Sequence, residues 1–289
     1  MKRANQKATR LLMINRLAGS MDASIEARLR GEFAGHHVIY FNPRRDFRKL
    51  ITPRAQVVVA GGDGTVEYVV RRLVDSKHPL GILPMGSFNN FAHALGLPVD
   101  LDRAIKVVKE GHARGITLGR VNDKVFLEAC AIGLFGEAIV LGDSAKDLHF
   151  GDVVKTLRHV IEAKPFEYEL SGDIKGDGTA MSLVFSNTSS IGSHLPVSVS
   201  NPIDPYLELS ADAGHSRSDI VGRALASALL SKHAEEGSER IFRFQRVRVK
   251  TRPRVRVYAD NRPAGRTPAV VAADVSVLKV YLPTHGSRK

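Results

Sequence analysis

The chain has no tryptophan, and aromatic residues make up only 6% of its 289 positions. So few flat side chains leave little for stacking nucleobases, which argues against a single-strand nucleic-acid platform. A lone cysteine, Cys130, excludes an internal disulfide framework and, in an apolar stretch, reads as core packing. The 11 histidines show neither H-E-x-x-H nor another ligand spacing, so no zinc centre is assigned. No apolar run approaches the roughly 20 residues needed to cross a bilayer. The opening residues carry a basic flank but only a brief apolar segment, which argues against a signal peptide and for a cytoplasmic protein. Neither an internal repeat nor a low-complexity linker is visible.

What is present is the composition of an ordinary globular protein, 43% hydrophobic and 25% charged, long enough for two cores. The charge is lopsided: 42 Lys and Arg against 30 Asp and Glu give a net charge of +12. A basic surface suits anionic partners, whether nucleic acid, acidic lipid headgroups or a nucleotide. Given the shortage of aromatics, nucleic acid is the unlikely partner and peripheral association with an anionic membrane the natural expectation. Self-association into a homo-oligomer is left open.

The chain is organised around residues 56–74, QVVVAGGDGTVEYVVRRLV. Val57, Val58 and Val59 form a β-branched run of the kind found in a strand covered on both faces. Val66, Val69, Val70, Leu73 and Val74 then recur at helical spacing. Gly61, Gly62, Asp63, Gly64 and Thr65 therefore join a buried strand to a helix start. Such a junction points unpaired N–H groups and the positive end of the helix dipole at an anion. Glycines let a polyphosphate lie against the main chain, Asp63 offers a carboxylate for a bridging metal, and Thr65 a hydroxyl for a cap or a phosphate. A hairpin would also tolerate Gly-Gly-Asp-Gly, but it needs an alternating strand after Thr65, and the sequence supplies a helical period. The pattern is neither a Walker loop nor G-x-G-x-x-G.

A second junction follows at Leu83-Pro84-Met85-Gly86-Ser87-Phe88-Asn89-Asn90-Phe91-Ala92. Together the two blocks resemble the diacylglycerol kinase catalytic domain family, which includes sphingosine, ceramide and bacterial lipid kinases. The first looks like that family's nucleotide-binding motif; the second is similar to its P-x-G-T-x-N-D-F-A pattern and separates the chain from the NAD kinases, which share only the glycine motif. Asn15, Ala18 and Gly19 match the family's Asn-Pro-x-Ser/Ala-Gly turn, with Arg16 in place of the proline and free to face phosphate.

The resemblance, which covers nearly the whole chain, implies ATP-dependent phosphorylation of a lipid hydroxyl. It implies nucleotide binding by Asn15, Gly61, Gly62, Asp63, Gly64, Thr65, Gly86, Ser87 and Asn89, and Mg²⁺ placed by Asp63. Asp204, in Asp204-Pro205-Tyr206-Leu207-Glu208, stands where some bacterial members carry a structural Mg²⁺ ligand. Relatives place a proton-accepting glutamate in an Asp-Gly-Glu motif; here the matching residues are Asp260-Asn261-Arg262. Asp260 survives as the candidate catalytic carboxylate, but arginine cannot accept a proton at ordinary pH. Asn90 and Tyr68 also depart from the pattern. Two functions are therefore carried forward: a lipid kinase, and a nucleotide-binding member with weakened or lost transfer that acts as a sensor or partner protein.

Taken in order, strands are expected at 11–14, 38–41, 57–59 and 80–83, and helices at 22–33, 46–50, 66–75, from 91, and at 102–109. This alternation predicts a doubly wound parallel α/β domain over residues 1–115. Strands at 116–118, 125–132, 166–170, 181–185, 206–209 and 275–282, with helices at 147–163 and 219–233, predict a β-rich, sandwich-like α+β domain over 116–289, its last strand packing back near the first domain. The run Arg246 to Val257 alternates basic with apolar residues, so Val247, Val249, Val255 and Val257 are expected on the core side and arginines outward, with Pro253 splitting the run. That outward row is a solvated face, a docking stripe for anionic lipid or, least favoured, a nucleic-acid ribbon.

Overall fold

The computed structural model describes residues 7–136, 164–191, 195–196, 198–212 and 241–284. The chain divides into two compact units, Met1–Ile116 with Ser276–Lys289, and Thr117–Val275.

The first unit is α/β. Strands β1 (Ala8–Ile14), β2 (His37–Tyr40), β3 (Ile51–Gly61) and β4 (Pro79–Pro84) lie in the order β2-β1-β3-β4, all parallel. The end of the last strand, Ala269–Leu282, adds to β4 in parallel through Lys279 and Val280. Leu12, Ile14, Val58, Ala60 and Leu83 share one core with Leu29 and Phe33 beside helix α1 (Ala23–Glu32) and with Ala104, Ile105 and Val108 of helix α4 (Leu101–Glu110). The alternate positions Val57 and Val59 are equally buried, as are Val66, Val69, Val70 and Leu73 of helix α2 (Asp63–Leu73). Burial on both faces explains the unbroken valine run.

Local chemistry sets the helix starts. Asp22 and Asp100 accept the N–H groups of Ile25 and Arg103 at 2.8 and 2.9 Å, and Asp46 caps a 3₁₀ turn at Phe47–Leu50. Helix α3 (Asn90–Ala94) is short, because Gly96 turns the chain with φ +67°.

The second unit is strand-rich. Its strands are β5 (His112–Val121, entering from the first unit), β6 (Lys124–Phe126), β7 (Ala129–Gly133), β8 (Phe166–Gly172), β9 (Gly176–Ala180), β10 (Ser182–Ser186), β11 (Ser190–Ile191), β12 (Leu195–Pro196), β13 (Leu207–Asp212), β14 (Ile241–Phe244), β15 (Arg246–Arg252), β16 (Arg256–Ala259), β17 (Arg262–Arg266) and β18 (Ala269–Leu282). One sheet runs β14-β13-β10-β7-β16-β17, and β18-β15-β8-β9 form a second set. A single core draws Cys130, Ile132, Leu183 and Phe185 from the first sheet and Leu170, Val247, Val249 and Val271 from the second, the arrangement of a β-sandwich. Burial pushes the Cys130 thiol far above its ordinary range, in keeping with a packing role.

The alternating basic run forms two strands, β15 and β16, as its pattern predicts; Val247, Val249 and Val257 are fully buried. The expected strand at 125–132 is instead two, because Leu127 and Glu128 leave the ladder and turn their N–H groups to Asp260. Strands β9, β14 and β17 were not legible, since Gly, Asp and Arg fill positions where alternation would show. The helices expected at 147–163 and 219–233 lie outside the described residues.

A Cβ on Gly119 of β5 would come within 2.0 Å of the Phe126 ring on the paired strand β6. Gly119→Ala is therefore expected to destabilise the protein by about 1–3 kcal/mol through overpacking, measured by urea unfolding.

Candidate functional site

The first unit's sheet reverses its winding direction between β1 and β3. Chain leaving β1 goes outward to β2, whereas β3 and β4 lie on the other side. In open α/β sheets ligands bind beyond the carboxyl ends of strands at such a point. Here those ends carry Asn15, Gly61 and Gly62.

These residues are tied to one another. Asn15 donates its backbone N–H to the Ala60 carbonyl at 2.9 Å and its amide Nδ2 to Thr65 Oγ1 at 2.8 Å. Its own Oδ1 accepts the Leu17 N–H at 3.0 Å, which closes the turn. Met85 N–H bonds the Gly61 carbonyl and Ser20 N–H the Met85 carbonyl, each at 3.0 Å. The glycines are dictated by approach distance. A Cβ on Gly61 would stand 2.6 Å from Thr65 Cβ, and a Cβ on Gly86 would stand 2.7 Å from Gly62 Cα. Gly64 is the contrast: a Cβ there meets nothing within 4 Å. Its glycine is required by nothing in the protein, which fits a face kept clear for a ligand.

Asp63 joins the two junctions. It lies in the first turn of α2, and its Oδ2 accepts the Asn89 N–H at 2.8 Å, with Asn90 and Phe91 N–H groups also directed to the carboxylate. Asn89 itself sits in the left-handed region at φ 53°, where Asn is better tolerated than most residues. Its Oδ1 accepts the Gly86 N–H at 2.8 Å and its Nδ2 donates to the Gly86 carbonyl at 2.7 Å. Ser87 is exposed at the tip of this turn, beside Gly19. The structure thus brings Asn15, Gly61, Gly62, Asp63, Gly64, Thr65, Gly86, Ser87 and Asn89 into one crevice. Gly62 caps α2 without a side chain, so the helix's first N–H groups are left to face that crevice.

Other sequence candidates stand elsewhere. Arg16 does not face phosphate: its Nε and Nη2 clasp the Glu26 carboxylate at 2.7 and 2.8 Å, and its guanidinium lies 3.8 Å from the Tyr40 ring centre. Bonds from Arg16 and Tyr40 hold the Glu26 carboxyl down at about 2. Tyr68 is a packing residue, buried between Phe41, Phe47 and Arg72 with its hydroxyl on the Arg45 carbonyl. Glu67 bonds Arg71 at 2.7 Å along the helix. Asn90 is buried in the first turn of α3.

In the second unit, Asp260 sits at φ 53° after β16, and its carboxylate accepts N–H groups of Leu127, Glu128 and Ala129 at 3.0, 2.9 and 3.3 Å. Arg262 is exposed at the start of β17. Asp204 hydrogen-bonds the Tyr206 side chain. The buried Glu208 two residues on accepts the Val199 N–H at 2.9 Å and Arg243 Nε at 3.1 Å, with that guanidinium 4.7 Å from the Tyr206 ring centre. Sequence reasoning missed Arg243, because nothing in a linear pattern links it to residues 204–208.

These contacts decide how far a metal fits. Among the described residues no group of three His, Cys, Asp or Glu could hold one. The Asp63 carboxylate is taken up by backbone N–H groups, and the cation beside Glu208 is Arg243. Among the described residues the side chains alone do not make a Mg²⁺ site.

Residues 10–121 match the family model of the diacylglycerol kinase catalytic domain. The chain is 40% identical over 92 residues to a diacylglycerol kinase of Staphylococcus carnosus, covering 31% of this chain and 30% of that protein. It is 33% identical over 141 residues to a probable lipid kinase of Yersinia enterocolitica, covering 45% and 48%. The matches thus span less than half the length of these relatives. By structure it is similar to a putative diacylglycerol kinase from Bacillus anthracis, with TM-score 0.70 and 18% identity over 97% of this chain and 98% of that one. An NAD kinase from Archaeoglobus fulgidus, solved with ATP, is similar at TM-score 0.57 and 12% identity, covering 96% and 94%. The family match bears out the resemblance read from the two motif blocks, and the structural neighbours share the fold.

Two measurements test this geometry. Burial raises the Asp63 carboxyl above its ordinary 3.8, partly offset by its backbone donors. Between that value and the raised one, the folded state keeps a proton that the unfolded chain has released. Stability contributed by Asp63 should therefore fall as pH rises through this window, and Asp63→Asn should remove that fall from a melting-temperature profile against pH. In the second unit, Arg243→Met strips the buried Glu208 of its cation. It should lower the melting temperature, while EDTA or added Mg²⁺ leaves the wild-type value unchanged.

Proposed function

Because residues 10–121 match the diacylglycerol kinase catalytic domain, we propose that the protein transfers the γ-phosphoryl group of ATP to a lipid hydroxyl. The observation that carries this reading is the pair of interlocked strand-to-helix junctions, open above Gly64 at the turning point of the sheet. Backbone N–H groups at Gly62, Gly64 and Ser87, at the two helix starts, are the phosphate cradle. Thr65 Oγ1 accepts from Asn15, so its own proton is free to donate to a phosphate oxygen. Asp63 serves by holding the two junctions together. Mg²⁺ would enter with the nucleotide, ligated by phosphate oxygens and water. Phosphoryl transfer is chiefly positioning and charge neutralisation, which a rigid crevice of backbone donors supports.

The lipid and the membrane are proposed on the same footing. No helix among the described residues is long and apolar enough to cross a membrane. The outward row of β15 presents Arg246, Arg248 and Arg252, with Lys250 matched by Glu169 at 3.0 Å, and this basic face suits an anionic bilayer surface.

A second reading is favoured by one observation: Arg262 cannot take a proton, and the Asp260 carboxylate is occupied by backbone donors. On that reading the protein binds ATP without transfer and acts as a sensor or partner.

Gly64→Ala separates site from scaffold. The new methyl meets nothing and replaces a helical glycine, so stability should hold or rise by up to about 1 kcal/mol. ATP affinity by calorimetry should fall at least about tenfold, and transfer of label from ATP to a total lipid extract should fall with it. Label transfer by the wild type supports the kinase; ATP binding with no labelled lipid at high enzyme concentration supports the sensor.

A further inference from the structure

Resting on the membrane reading above, we propose that the corner of the second unit where β14 passes into β15 docks on an anionic phospholipid bilayer. Val199, Ile241 and Phe242 enter its apolar layer, and Lys175, Arg243, Arg246 and Arg248 meet its headgroups.

At this corner the chain leaves one sheet for the other. Phe244 ends β14, Gln245 makes the step, and Arg246 opens β15. Side chains from distant segments fix the step. Asp173, in the turn between β8 and β9, accepts the N–H groups of Gln245 and Arg246 on its Oδ2 at 2.9 and 2.8 Å. Its own N–H donates to the Arg246 carbonyl at 3.0 Å. Gln245 Nε2 donates to the Pro205 carbonyl at 3.0 Å, and Glu208 Oε2 accepts the Val199 N–H at 2.9 Å, which ties in the loop before β13.

A groove of about 600 Å³ opens here, with Ile174, Val199, Ile241 and Phe242 among its lining. Val199 is 66% exposed, and Ile241 and Phe242 are 41% exposed each. Only two further large hydrophobic residues are exposed among the described side chains of the second unit, Ile203 and Val275. Apolar exposure is therefore gathered on one groove rather than scattered, the pattern of an interaction surface.

The charge around the groove selects the partner. Arg243 spends its Nε on Glu208 at 3.1 Å, yet its side chain is 59% exposed and its two terminal nitrogens make no hydrogen bond among the described residues. Lys175 is exposed on the same groove. Through Asp173 the groove continues into a smaller cleft of about 350 Å³ that carries Arg246 and Arg248, both exposed. Of the two carboxylates lining the groove, Glu208 is buried against Arg243 and Asp173 is held by two backbone N–H groups. Cations thus dominate the presented surface. Long basic side chains beside exposed apolar ones can lay their stems along the apolar surface and send their heads to phosphate. A bilayer interface offers the matching layers, acyl chain below and anionic headgroup above.

The test uses the full chain and vesicles of phosphatidylcholine with or without phosphatidylglycerol. Wild type should bind the anionic vesicles, and added salt should weaken binding without abolishing it, because the apolar contact is not screened. Lys175→Ala and Arg248→Ala should each weaken binding about fivefold. Lys106→Ala, which removes the same charge from α4 of the first unit, should leave it unchanged. Ile241→Ser combined with Phe242→Ser should lower binding about tenfold or more and remove the salt-resistant part. Val199→Cys carries the insertion readout without touching a strand: Cys130 is fully buried, so a polarity-sensitive dye labels the new thiol. Its emission should shift to the blue with anionic vesicles. Absence of that shift overturns the proposal, as does equal weakening by Lys106→Ala, which would show a mere net-charge effect. A blue shift without vesicles that grows with protein concentration also overturns it, by assigning the groove to a second copy of the chain. Vesicle binding that survives every groove variant removes this corner but keeps the membrane reading; no vesicle binding by wild type ends both.

Discussion

A buried carboxylate shared between two helix starts is the interaction on which the crevice depends. Asp63 begins α2 yet spends its oxygens on the N–H groups that open α3. This works only because Gly62 and Gly86 let the two backbones touch, a distance that any side chain would break. The cost of burying the charge is offset only in part, and by backbone donors rather than by a cation. Rigid backbone with fixed dipoles is what a polyphosphate site needs, since it requires no reorganisation on binding.

The second unit uses the same physics differently. Asp260 and Glu208 are both carboxylates held by main-chain N–H groups, and each organises a loop: residues 127–129 in one case, Val199 in the other. Where a metal ion would tie such a corner together, Arg243 supplies the positive charge from β14, with its guanidinium against Tyr206. A guanidinium brings geometry and charge without dependence on free ion concentration. The acidic residues most visible in the sequence are in this way mostly committed to structure.

Several misreadings share one cause. Arg16 was expected to be free to face phosphate, and Tyr68 was noted only as a departure from the motif. In three dimensions Arg16 fastens α1 to β2 through Glu26 and Tyr40, and Tyr68 packs against Phe41 and Phe47. The single strand expected at 125–132 failed for a related reason: the apolar run is continuous, but Asp260, more than a hundred residues away, breaks its ladder.

What the sequence determined by itself was the local grammar of the first unit. Unbroken valines marked a strand buried on both faces, helical spacing after Thr65 marked α2, and aspartates at 22, 46 and 100 marked caps. These signals are legible because hydrophobic period and capping act within a few residues. The two glycine-rich junctions were legible too, since they advertise their own backbone needs. Only the tertiary structure decided that Asp63 joins both junctions, that Gly64 alone among the motif glycines has open space above it, and that Arg243 neutralises Glu208. Each of these is a contact between residues distant in sequence or a space left between them, and no local pattern encodes either.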